Sequence, residues 1–321
     1  MNILVTGAYG QLGRCIRDQV DCVVAKNNGT DNVYFYTDII ESESDGIVKL
    51  DITNEDEVKK FIKDNYINVI INCAAYTNVD KAETDKAGAY KLNALAPKYL
   101  AEAALAVGAK LIQISTDYVF AGTSFMPYIE ERMCMPYTEY GATKYLGEKN
   151  IIESGCKYLI FRTAWLYSEY GNNFVKTMLK LFETKNELNV INDQIGTPTY
   201  AGNLADLIVS IVEARKPIEG KETLPLLENG IYHFTDEGVA SWYDFARYIY
   251  ECFCGRECKY VRINGVTTKE YGSKTRRPYY SVLEKTKYRT DFKGLYNPQH
   301  WHDGVKKIVC KLLINNNQSS E

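Results

Sequence analysis

A glycine-rich turn between a short apolar segment and a helix-like segment is the feature that most constrains the fold. Residues 2–5 read NILV, and residues 6–13 read TGAYGQLG. After a buried strand, such a turn lets backbone N–H groups approach a pyrophosphate, and the next helix N-terminus adds partial positive charge. The spacing is GxxGxxG, not the GxGxxG fingerprint, and a turn without a ligand could look the same. The candidate cofactor residues are Gly7, Gly10, Gln11, Leu12 and Gly13.

Short apolar segments recur through the first half of the chain, with helix-like segments between them. They are rich in β-branched or aromatic residues, as expected of strands buried on both faces. The predicted strands are 2–5, 33–36, 69–73, 110–115 and 158–162. The predicted helices include 54–65, 86–107 and 139–154. This alternation predicts an α/β fold with a Rossmann-like, doubly wound parallel sheet.

The second half of the chain is less regular, with more turn residues, several tyrosines and isolated strand candidates at 189–191 and 230–234. It predicts a smaller α+β lobe that binds the substrate. We expect residues 1–165 to form the dinucleotide-binding domain and residues 166–321 to form mainly the substrate-binding lobe. Later segments such as 200–215 are expected to pack back onto the first domain.

Composition and charge exclude several classes of protein. The 321 residues are 45% hydrophobic and 25% charged, which is the range of ordinary globular proteins. A net charge of −3 gives no overall attraction to nucleic acid or to an anionic membrane, so any phosphate site must be local. No apolar segment reaches the ~20 residues of a membrane-spanning helix. We expect a cytoplasmic protein with no nucleic-acid or membrane partner.

The nine cysteines follow no regular framework, which predicts reduced thiols rather than disulfides. Cys252, Cys254 and Cys258 are close together and could supply three metal ligands. No histidine or fourth cysteine is nearby to complete a site. We therefore expect no metal there.

An acidic residue follows the second predicted strand. Asp38 comes two residues after the segment 33–36, where a carboxylate could accept hydrogen bonds from an adenosine ribose. Such a carboxylate suits NAD and repels the 2′-phosphate of NADP. A turn or cap aspartate is the alternative interpretation.

Two further segments are candidates for the cofactor site. Asp51 and Ile52 follow another apolar stretch and could reach the adenine, although Asp51 could equally cap the helix beginning at Asn54. Small side chains at the carboxyl end of the next strand leave room for a flat cofactor. That segment adds the candidates Ala74, Ala75 and Tyr76.

Tyr140 and Lys144 form a YxxxK pattern at the start of a helix-like segment. Positions i and i+4 lie on one face of a helix. A protonated lysine beside a tyrosine stabilises the phenolate, so we expect the pKa of Tyr140 to lie below its usual value of about 10. Tyr140 is then a candidate general acid near neutral pH. Alone the pattern is weak, because tyrosine and lysine often share a solvated helix face.

A hydroxyl-rich segment after the preceding predicted strand strengthens this interpretation. Residues 114–120 read ISTDYVF. A hydroxyl at the carboxyl end of a strand is well placed to hydrogen-bond a substrate oxygen beside the tyrosine. We assign that role to Thr116, with Ser115 as its neighbour and substitute. These hydroxyls could instead satisfy local backbone groups, but the order of the three elements favours catalysis.

Eight segments resemble, in order, those of the dTDP-4-dehydrorhamnose reductases, a family of extended short-chain dehydrogenases. They are TGAYGQLG, DIT, NCAAYTNVDKAE, STDYVFAGT, YGATKYLGE, RTAWLY, GNNFVKTML and DQIGTPTY. The segment RRPYYSVLE at 276–284 extends the resemblance into the second half. No single segment is decisive, but together they span most of the chain.

The resemblance implies reduction of the C4 keto group of dTDP-4-dehydro-L-rhamnose to dTDP-L-rhamnose, with NADPH or NADH as cofactor. It implies that Tyr140 donates the proton, that Lys144 tunes it and holds the nicotinamide ribose, and that Thr116 assists at the carbonyl oxygen. The implied sugar-nucleotide contacts are Thr116, Asp117 and Trp165. The implied cofactor contacts are Gly10, Gln11, Leu12, Asp38, Asp51, Ile52, Ala74, Ala75 and Tyr76. Without the resemblance, Trp165 could equally be a core aromatic.

Three different functions stay open beside reduction. Sugar-nucleotide 4,6-dehydratases have a similar fold and typically carry a glutamate after the Thr-Asp pair, where this chain has Tyr118. Epimerases have a similar tyrosine and lysine, and only the GTPTY segment favours a reductase. Regulatory subunits of methionine adenosyltransferase are non-catalytic and also resemble these reductases. Intact Tyr140, Lys144 and Thr116 argue against a lost active site.

Some members of the family assemble as dimers around magnesium held by glutamates, one of them shortly after the glycine-rich turn. Here that turn is followed by Arg14-Cys15-Ile16-Arg17. Magnesium needs oxygen ligands, so a thiol flanked by two arginines is unsuitable. We expect no metal and leave a homodimer open.

Overall fold

The computed structural model describes residues 1–27, 30–214, 219, 224–254, 259–273 and 275–318. The strands in these residues are β1 (Asn2–Thr6), β2 (Val33–Asp38), β3 (Ile47–Lys49), β4 (Val69–Asn72), β5 (Lys110–Thr116), β6 (Lys157–Thr163), β7 (Leu166–Tyr167), β8 (Glu187–Ile191), β9 (Ile195–Gly196), β10 (Thr199–Tyr200), β11 (Gly230–His233), β12 (Ala240–Ser241) and β13 (Arg262–Val266). The helices are α1 (Gln11–Asn27), α2 (Glu55–Asp64), α3 (Val79–Ala82), α4 (Lys86–Tyr90), α5 (Ala96–Val107), α6 (Glu139–Ser154), α7 (Phe174–Thr184), α8 (Ala201–Glu213), α9 (Trp242–Cys254), α10 (Thr268–Tyr271), α11 (Thr286–Asp291) and α12 (Trp301–Gln318).

Within the described residues, seven parallel strands form the central sheet in the order β11-β6-β5-β4-β1-β2-β3. The chain builds from β1 outward to β3, and it then crosses back to β4 and extends the other side. The reversal between β1 and β4 is a topological switch point, where ligands bind outside the carboxyl ends of the strands. The predicted α/β fold with a Rossmann-like parallel sheet is confirmed.

Helices cover both faces of this sheet. Alternate side chains of β1 point to opposite faces, so Val5 packs with Ile16 of α1 and Leu204 of α8, and Leu4 packs with Ile62 of α2 and Leu100 of α5. This two-sided burial explains why the strands read as continuous apolar segments. Helix α8 lies against α1, and β11 from the second half extends the sheet beside β6.

Aromatic side chains dominate a second apolar cluster, formed by the second half of the chain. Phe182 of α7, Phe245 of α9 and Trp301 of α12 are buried there together. The parallel pair of β8 and β13 lies beside these helices. The division of the chain at residue 165 into a cofactor domain and a substrate lobe stays a prediction.

The predicted helix 86–107 has a different form from the one expected. It consists of α4 and α5 with a π-helical turn at Lys91–Leu95 between them. The extra residue of a π turn changes which side chains face the sheet, and such turns are frequent at functional sites. Lys91 and Leu92 both face the cleft described below.

Cys258 lies outside the described residues. Cys252 and Cys254 are free thiols. Nowhere in the described part of the chain do three histidine, cysteine, aspartate or glutamate side chains form a group that could hold a metal ion. The helices described by the structure include none with the length and apolar character needed to cross a membrane.

Candidate active site

The glycine-rich turn packs so closely that larger residues would not fit. Gly7 has a φ of +66°, and a Cβ added there would lie 2.6 Å from the backbone nitrogen of Ala74. A Cβ on Gly13 would collide with the carbonyl oxygen of Gly7. Helix α1 begins at Gln11, so its free backbone N–H groups face the same space as the turn. The geometry is that of a site for an anionic group.

A cleft of about 1080 Å³ lies over the carboxyl ends of the central strands. Its volume exceeds that of a typical pocket for one small molecule, which is roughly 300–1,000 Å³. Most of the predicted site residues line it together: Gly7, Gly10, Gln11, Leu12, Asp38, Asp51, Ile52, Ala74, Ala75, Thr116, Asp117, Tyr140, Lys144 and Trp165. The predicted residues Gly13 and Tyr76 do not line it, because Gly13 packs beneath the turn and Tyr76 points elsewhere.

Two carboxylates mark the end of the cleft nearest β2. Asp38 accepts hydrogen bonds from the backbone nitrogens of Tyr9, at 3.0 Å, and of Ile39, at 2.8 Å, so it both braces the turn and faces the cleft. Asp51 accepts from the Thr53 nitrogen at 2.9 Å. The alternative that Asp51 caps the following helix is wrong, because Asn54 is the N-cap of α2.

Tyr76 is held by the π-helical turn. The Tyr76 nitrogen donates to the Asn93 side chain at 2.9 Å, and the Asn93 amide donates back to the Tyr76 carbonyl at 3.0 Å. The Tyr76 hydroxyl donates to Asp85. The structure therefore gives Tyr76 a role in fixing the segment that carries Ala74 and Ala75.

Tyr140 and Thr116 meet at the centre of the cleft. The Thr116 hydroxyl lies beside the Tyr140 phenol, and the Tyr118 and Tyr140 rings pack in a T-shaped arrangement with centroids 5.5 Å apart. Burial raises the pKa of Tyr140 to about 12, although the nearby Thr116 hydroxyl opposes the rise. The expected lowering of this pKa is wrong for the structure. Tyr140 is therefore fully protonated at neutral pH.

Lys144 extends beneath the tyrosine toward the backbone of β5. Its Nζ donates to the carbonyl oxygen of Ile114 at 2.6 Å. Burial lowers the pKa of Lys144 to about 8, and the nearby Glu148 carboxylate partly offsets that effect. A lysine with this pKa is mostly protonated at neutral pH and loses its proton in mild alkali.

Asp117 joins the two halves of the chain at the cleft. It is 2% exposed, its Oδ1 accepts from the Thr116 hydroxyl at 3.0 Å, and the Ser281 side chain lies near its carboxylate. Burial raises the pKa of Asp117 to about 6, and the neighbouring Ser281 and Thr116 hydroxyls limit the rise. Ser281 belongs to the RRPYYSVLE segment, so that segment contributes to the site.

Trp165 adopts an unusual backbone conformation at the edge of the cleft. Its φ is +47°, which is uncommon for a bulky residue and costs energy. The indole stacks on Trp242 with ring centroids 3.6 Å apart and planes inclined by 8°. Trp242 also lines the cleft and was not predicted. Its contact with Trp165 joins residues 77 positions apart, so no local pattern could indicate it.

Several other lining residues were missed by sequence reasoning. They include Cys73, Tyr118, Lys91, Thr163 and Arg277. Arg277 lies in a segment that carried the family resemblance, but its side chain had no assigned role. The structure pairs it with Asp80 of α3, where Nη2 lies 2.9 Å from the carboxylate.

The arrangement can deliver a proton. A phenol that stays protonated at neutral pH, a hydroxyl beside it and a buried ammonium group all line one cleft. They can protonate an oxygen that gains negative charge when a hydride reaches its carbon. The same cleft includes a glycine-rich turn fit for the phosphates of a dinucleotide.

Comparisons with known proteins agree with this chemistry. The family model for the RmlD substrate binding domain matches residues 1–314. The dTDP-4-dehydrorhamnose reductase of Aggregatibacter actinomycetemcomitans is 40% identical over 308 residues, which cover 95% of this chain and 97% of the relative.

Two solved structures support the same assignment. The dTDP-4-dehydrorhamnose reductase of Clostridium acetobutylicum is 40% identical, with a TM-score of 0.83 over 98% of this chain and 100% of the other. The Bacillus anthracis enzyme of the same name, solved with NADP, is 35% identical, with a TM-score of 0.81 over 97% of this chain and 99% of the other. The family predicted from the sequence is confirmed. This chain belongs to the dTDP-4-dehydrorhamnose reductase family.

Proposed function

We propose that this protein transfers a hydride from NADPH or NADH to C4 of dTDP-4-dehydro-L-rhamnose, which makes dTDP-L-rhamnose for cell-surface polysaccharides. The observation that carries the proposal is the contact of Tyr140 with Thr116, beside buried Lys144, in the cleft that contains the glycine-rich turn. The names of the relatives support the sugar nucleotide, and the NADP complex of the Bacillus anthracis enzyme supports the cofactor.

The residues of the cleft fit a nicotinamide dinucleotide. The turn around Gly7 and Gly10 and the start of α1 would hold the pyrophosphate, and Asp38 would hold the adenosine ribose. Lys144 would donate to the nicotinamide ribose. The remaining proposed contacts are Gln11, Leu12, Asp51, Ile52, Ala74, Ala75 and Tyr140, whereas the predicted Gly13 and Tyr76 support the lining of the cleft without facing it. When bound, the reduced nicotinamide supplies the hydride.

Tyr140 completes the reduction by protonating the substrate oxygen. As C4 gains the hydride, the C=O double bond becomes a single bond and the oxygen takes the phenolic proton of Tyr140. Thr116, whose hydroxyl donates to Asp117 in this structure, would turn that proton to the same substrate oxygen. The positive charge of Lys144 stabilises the tyrosinate that remains. Solvent then returns a proton to Tyr140.

The other end of the cleft suits an anionic sugar nucleotide. Trp165 and Asp117 line this end, and the proposal gives both a contact with the substrate. Arg277 adds positive charge to this part of the lining. Arginine forms paired hydrogen bonds with phosphate oxygens, so Arg277 is the proposed partner of the diphosphate.

The structure disfavours a dehydratase on one specific ground. Tyr118 stands where a dehydratase would have its additional acid, and burial raises the pKa of its phenol far above the usual value. A phenol that stays protonated near neutral pH cannot accept a proton, as a carboxylate can. A reductase is distinguished from an epimerase, and from a non-catalytic regulatory subunit, by the products formed from the keto sugar.

We also propose that the two parts of the chain bind different ligands. Residues 1–165 would bind the dinucleotide, residues 166–321 would mainly bind the sugar nucleotide, and 200–215 would support the first domain. We also propose a cytoplasmic location, with the dTDP-sugar as ligand and without nucleic-acid or membrane partners. One chain supplies a complete cleft, so the proposed function requires neither a monomer nor a homodimer.

One experiment tests the proposed function. The purified protein is incubated with dTDP-4-dehydro-L-rhamnose and NADPH or NADH, the loss of reduced-nicotinamide absorbance is followed, and the product is identified by NMR. We expect stoichiometric formation of dTDP-L-rhamnose. dTDP-glucose, which has a hydroxyl at C4, is the matched control and should not consume reduced cofactor. An isomerised sugar without cofactor consumption would indicate an epimerase, and no conversion would indicate a non-catalytic protein.

A further inference from the structure

A fully buried ion pair joins β6 to α6, the helix that carries Tyr140 and Lys144. Arg162 of β6 and Glu148 of α6 have side chains that are 2% and 1% exposed. Nη2 of Arg162 lies 2.7 Å from one Glu148 oxygen, and Nε lies 3.0 and 3.3 Å from the two oxygens. Burying two charges is costly unless the geometry is good and the remaining hydrogen-bonding groups are satisfied.

The surroundings of Arg162 meet that condition. Its Nη1 donates to the carbonyl oxygen of Glu130 at 3.1 Å, and Nη2 also contacts the Cys134 sulfur at 3.3 Å. The guanidinium lies over the Phe120 ring, 5.0 Å from its centroid. The pair is therefore held in one geometry from several directions.

Ser115 connects this pair to the active site. Its hydroxyl donates to Glu148, whereas the hydroxyl of the next residue, Thr116, faces Tyr140. Neighbouring side chains of a strand point to opposite faces, so one end of β5 contacts both the buried pair and the cleft. Ser115 also lines the cleft, but its hydroxyl is engaged by Glu148, so it supports β5 in this structure.

Lys144 is connected to the same pair along α6. Glu148 follows Lys144 by one helical turn, and its negative charge favours the protonated lysine. The Lys144 ammonium donates to Ile114, which directly precedes Ser115. The pair can therefore influence Lys144 in three ways: through its position on α6, through the charge of Glu148, and through the β5 backbone that accepts the Lys144 hydrogen bond.

The other charged or titratable groups near Lys144 are few. Cys73, at the end of β4, faces it, and burial raises the pKa of that thiol far above its usual value, so it stays neutral. Tyr140 precedes Lys144 by one turn of α6 and is protonated. Arg162 lies on the far side of Glu148, and its positive charge disfavours the protonated form of Lys144. Glu148 is thus the negative group that counts.

We propose that Glu148, Arg162 and Ser115 are positioning residues for the reduction, an inference that rests on the proposed function. Glu148 keeps Lys144 protonated at the pH of catalysis. Arg162 fixes the Glu148 carboxylate and clamps β6 to α6. Ser115 holds the end of β5 against Glu148 and so fixes the position of Thr116, the next residue. A pair that only stabilised the fold would affect unfolding but not the protonation of Lys144.

Two variants separate charge from geometry. Glu148→Gln keeps the shape but removes the charge, so the alkaline limb of the kcat/KM pH profile should move about one unit to lower pH. Arg162→Lys keeps the charge but loses the bidentate fork, so kcat should fall by about tenfold while the limb stays in place. Glu237→Gln is the matched control, because it breaks the Lys285–Glu237 pair away from the cleft. That control should lower the unfolding temperature without moving the limb.

Ser115→Ala covers the case in which Glu148→Gln does not fold. It leaves the ion pair intact, and we expect kcat to fall by about tenfold with little change in unfolding temperature. An unmoved limb in folded Glu148→Gln, or an unchanged kcat in Ser115→Ala, would overturn the proposal.

Binding of NADPH alone, followed by its fluorescence across the same pH range, reports the charge of Lys144 without any sugar. We expect the alkaline loss of NADPH affinity to move to lower pH in Glu148→Gln. An unmoved transition in this binding assay would count against the network. Failure of the wild-type protein to reduce the sugar would count only against the proposed function.

Discussion

The Thr116 hydroxyl lies beside the Tyr140 phenol, so the end of β5 and the first turn of α6 meet at one point. The start of α6 is fixed there by Thr138, whose side chain accepts from the Gly141 nitrogen at 3.0 Å. A Cβ on Gly141 would collide with the Tyr118 carbonyl oxygen. The position of Tyr140 therefore depends on backbone packing and on Thr116 rather than on Lys144.

Removing the phenolic hydroxyl should abolish most turnover. Tyr140→Phe keeps the ring and its contact with Tyr118 but has no proton to transfer, so kcat should fall by roughly 10² to 10⁴. The affinity for NADPH should change little, as measured by fluorescence titration. Lys144→Ala is the informative companion, because it should lower both kcat and cofactor affinity. Near-normal turnover by Tyr140→Phe would rule out this assignment of the acid.

The pH dependence of the reaction should follow Lys144 and not Tyr140. The pKa of Lys144 is about 8 and that of Tyr140 is about 12, so the ammonium loses its proton first as the pH rises. Because the protonated lysine is the active form, kcat/KM should decline above about pH 8.

Lys144→Arg is the control for this prediction, because arginine keeps its charge throughout the range. It should be slower than the wild type but show no decline near pH 8. A decline that persists unchanged in Lys144→Arg would mean that another group titrates.

Cofactor preference should depend on Asp38. Its carboxylate faces the cleft at the end of β2 and is held by the nitrogens of Tyr9 and Ile39. A negative charge there repels a 2′-phosphate, so Asp38→Asn should raise the ratio of NADPH to NADH efficiency by about tenfold. Asp45→Asn removes a nearby carboxylate that does not line the cleft, and it should leave the ratio unchanged. Equal ratios in wild type and Asp38→Asn would leave Asp38 as a turn residue alone.

Arg277 should distinguish the two ligands of the cleft. It lines the cleft and pairs with the exposed carboxylate of Asp80, which a diphosphate can replace. Arg277→Met should raise the KM for the dTDP-sugar by about tenfold and leave the KM for NADPH nearly constant. Arg276→Met is a matched control, because Arg276 stacks on Tyr137 outside the cleft. An equal rise of both KM values would argue for a general loss of structure.

The sequence predicted the sheet well because its strands are buried on both faces. Ile3, Leu4 and Val5 contact helices on opposite sides, so their apolar run carries the signal without any alternation. β3 was missed because it has three residues, of which only Ile47 is buried. The π-helical turn at Lys91–Leu95 has no sequence signature that would separate it from an ordinary helix.

Site residues that belong to a local sequence pattern could be predicted. Site residues that only the fold brings together could not. The turn, Thr116 and the YxxxK pattern are local, and the structure brings them to one cleft. Trp242 comes from a distant helix, so its stacking on Trp165 could not be read from the chain. The pKa of Tyr140 was predicted in the wrong direction, because the phenol is buried and the Lys144 ammonium is directed to a backbone carbonyl.

The last prediction is that magnesium has no role in activity or assembly. Cys15, in the first turns of α1, is 2% exposed, and burial raises the pKa of its thiol far above the usual value. A neutral, buried thiol is not a ligand for a hard cation. Of the nearby carboxylates, Glu169 is already paired with Lys311 at 2.6 Å, and Asp18 accepts from the Tyr170 hydroxyl at 2.7 Å. Recruiting them to a metal would break these contacts.

We therefore expect full activity after treatment with EDTA, and a molar mass by light scattering that is the same with and without magnesium. Cys15→Glu is the informative variant, because it restores a carboxylate at this position. Magnesium-dependent dimerisation in Cys15→Glu alone would show that the thiol is what prevents it. Magnesium-dependent dimerisation of the wild type, or activity regained only on adding magnesium, would show that other carboxylates form a site.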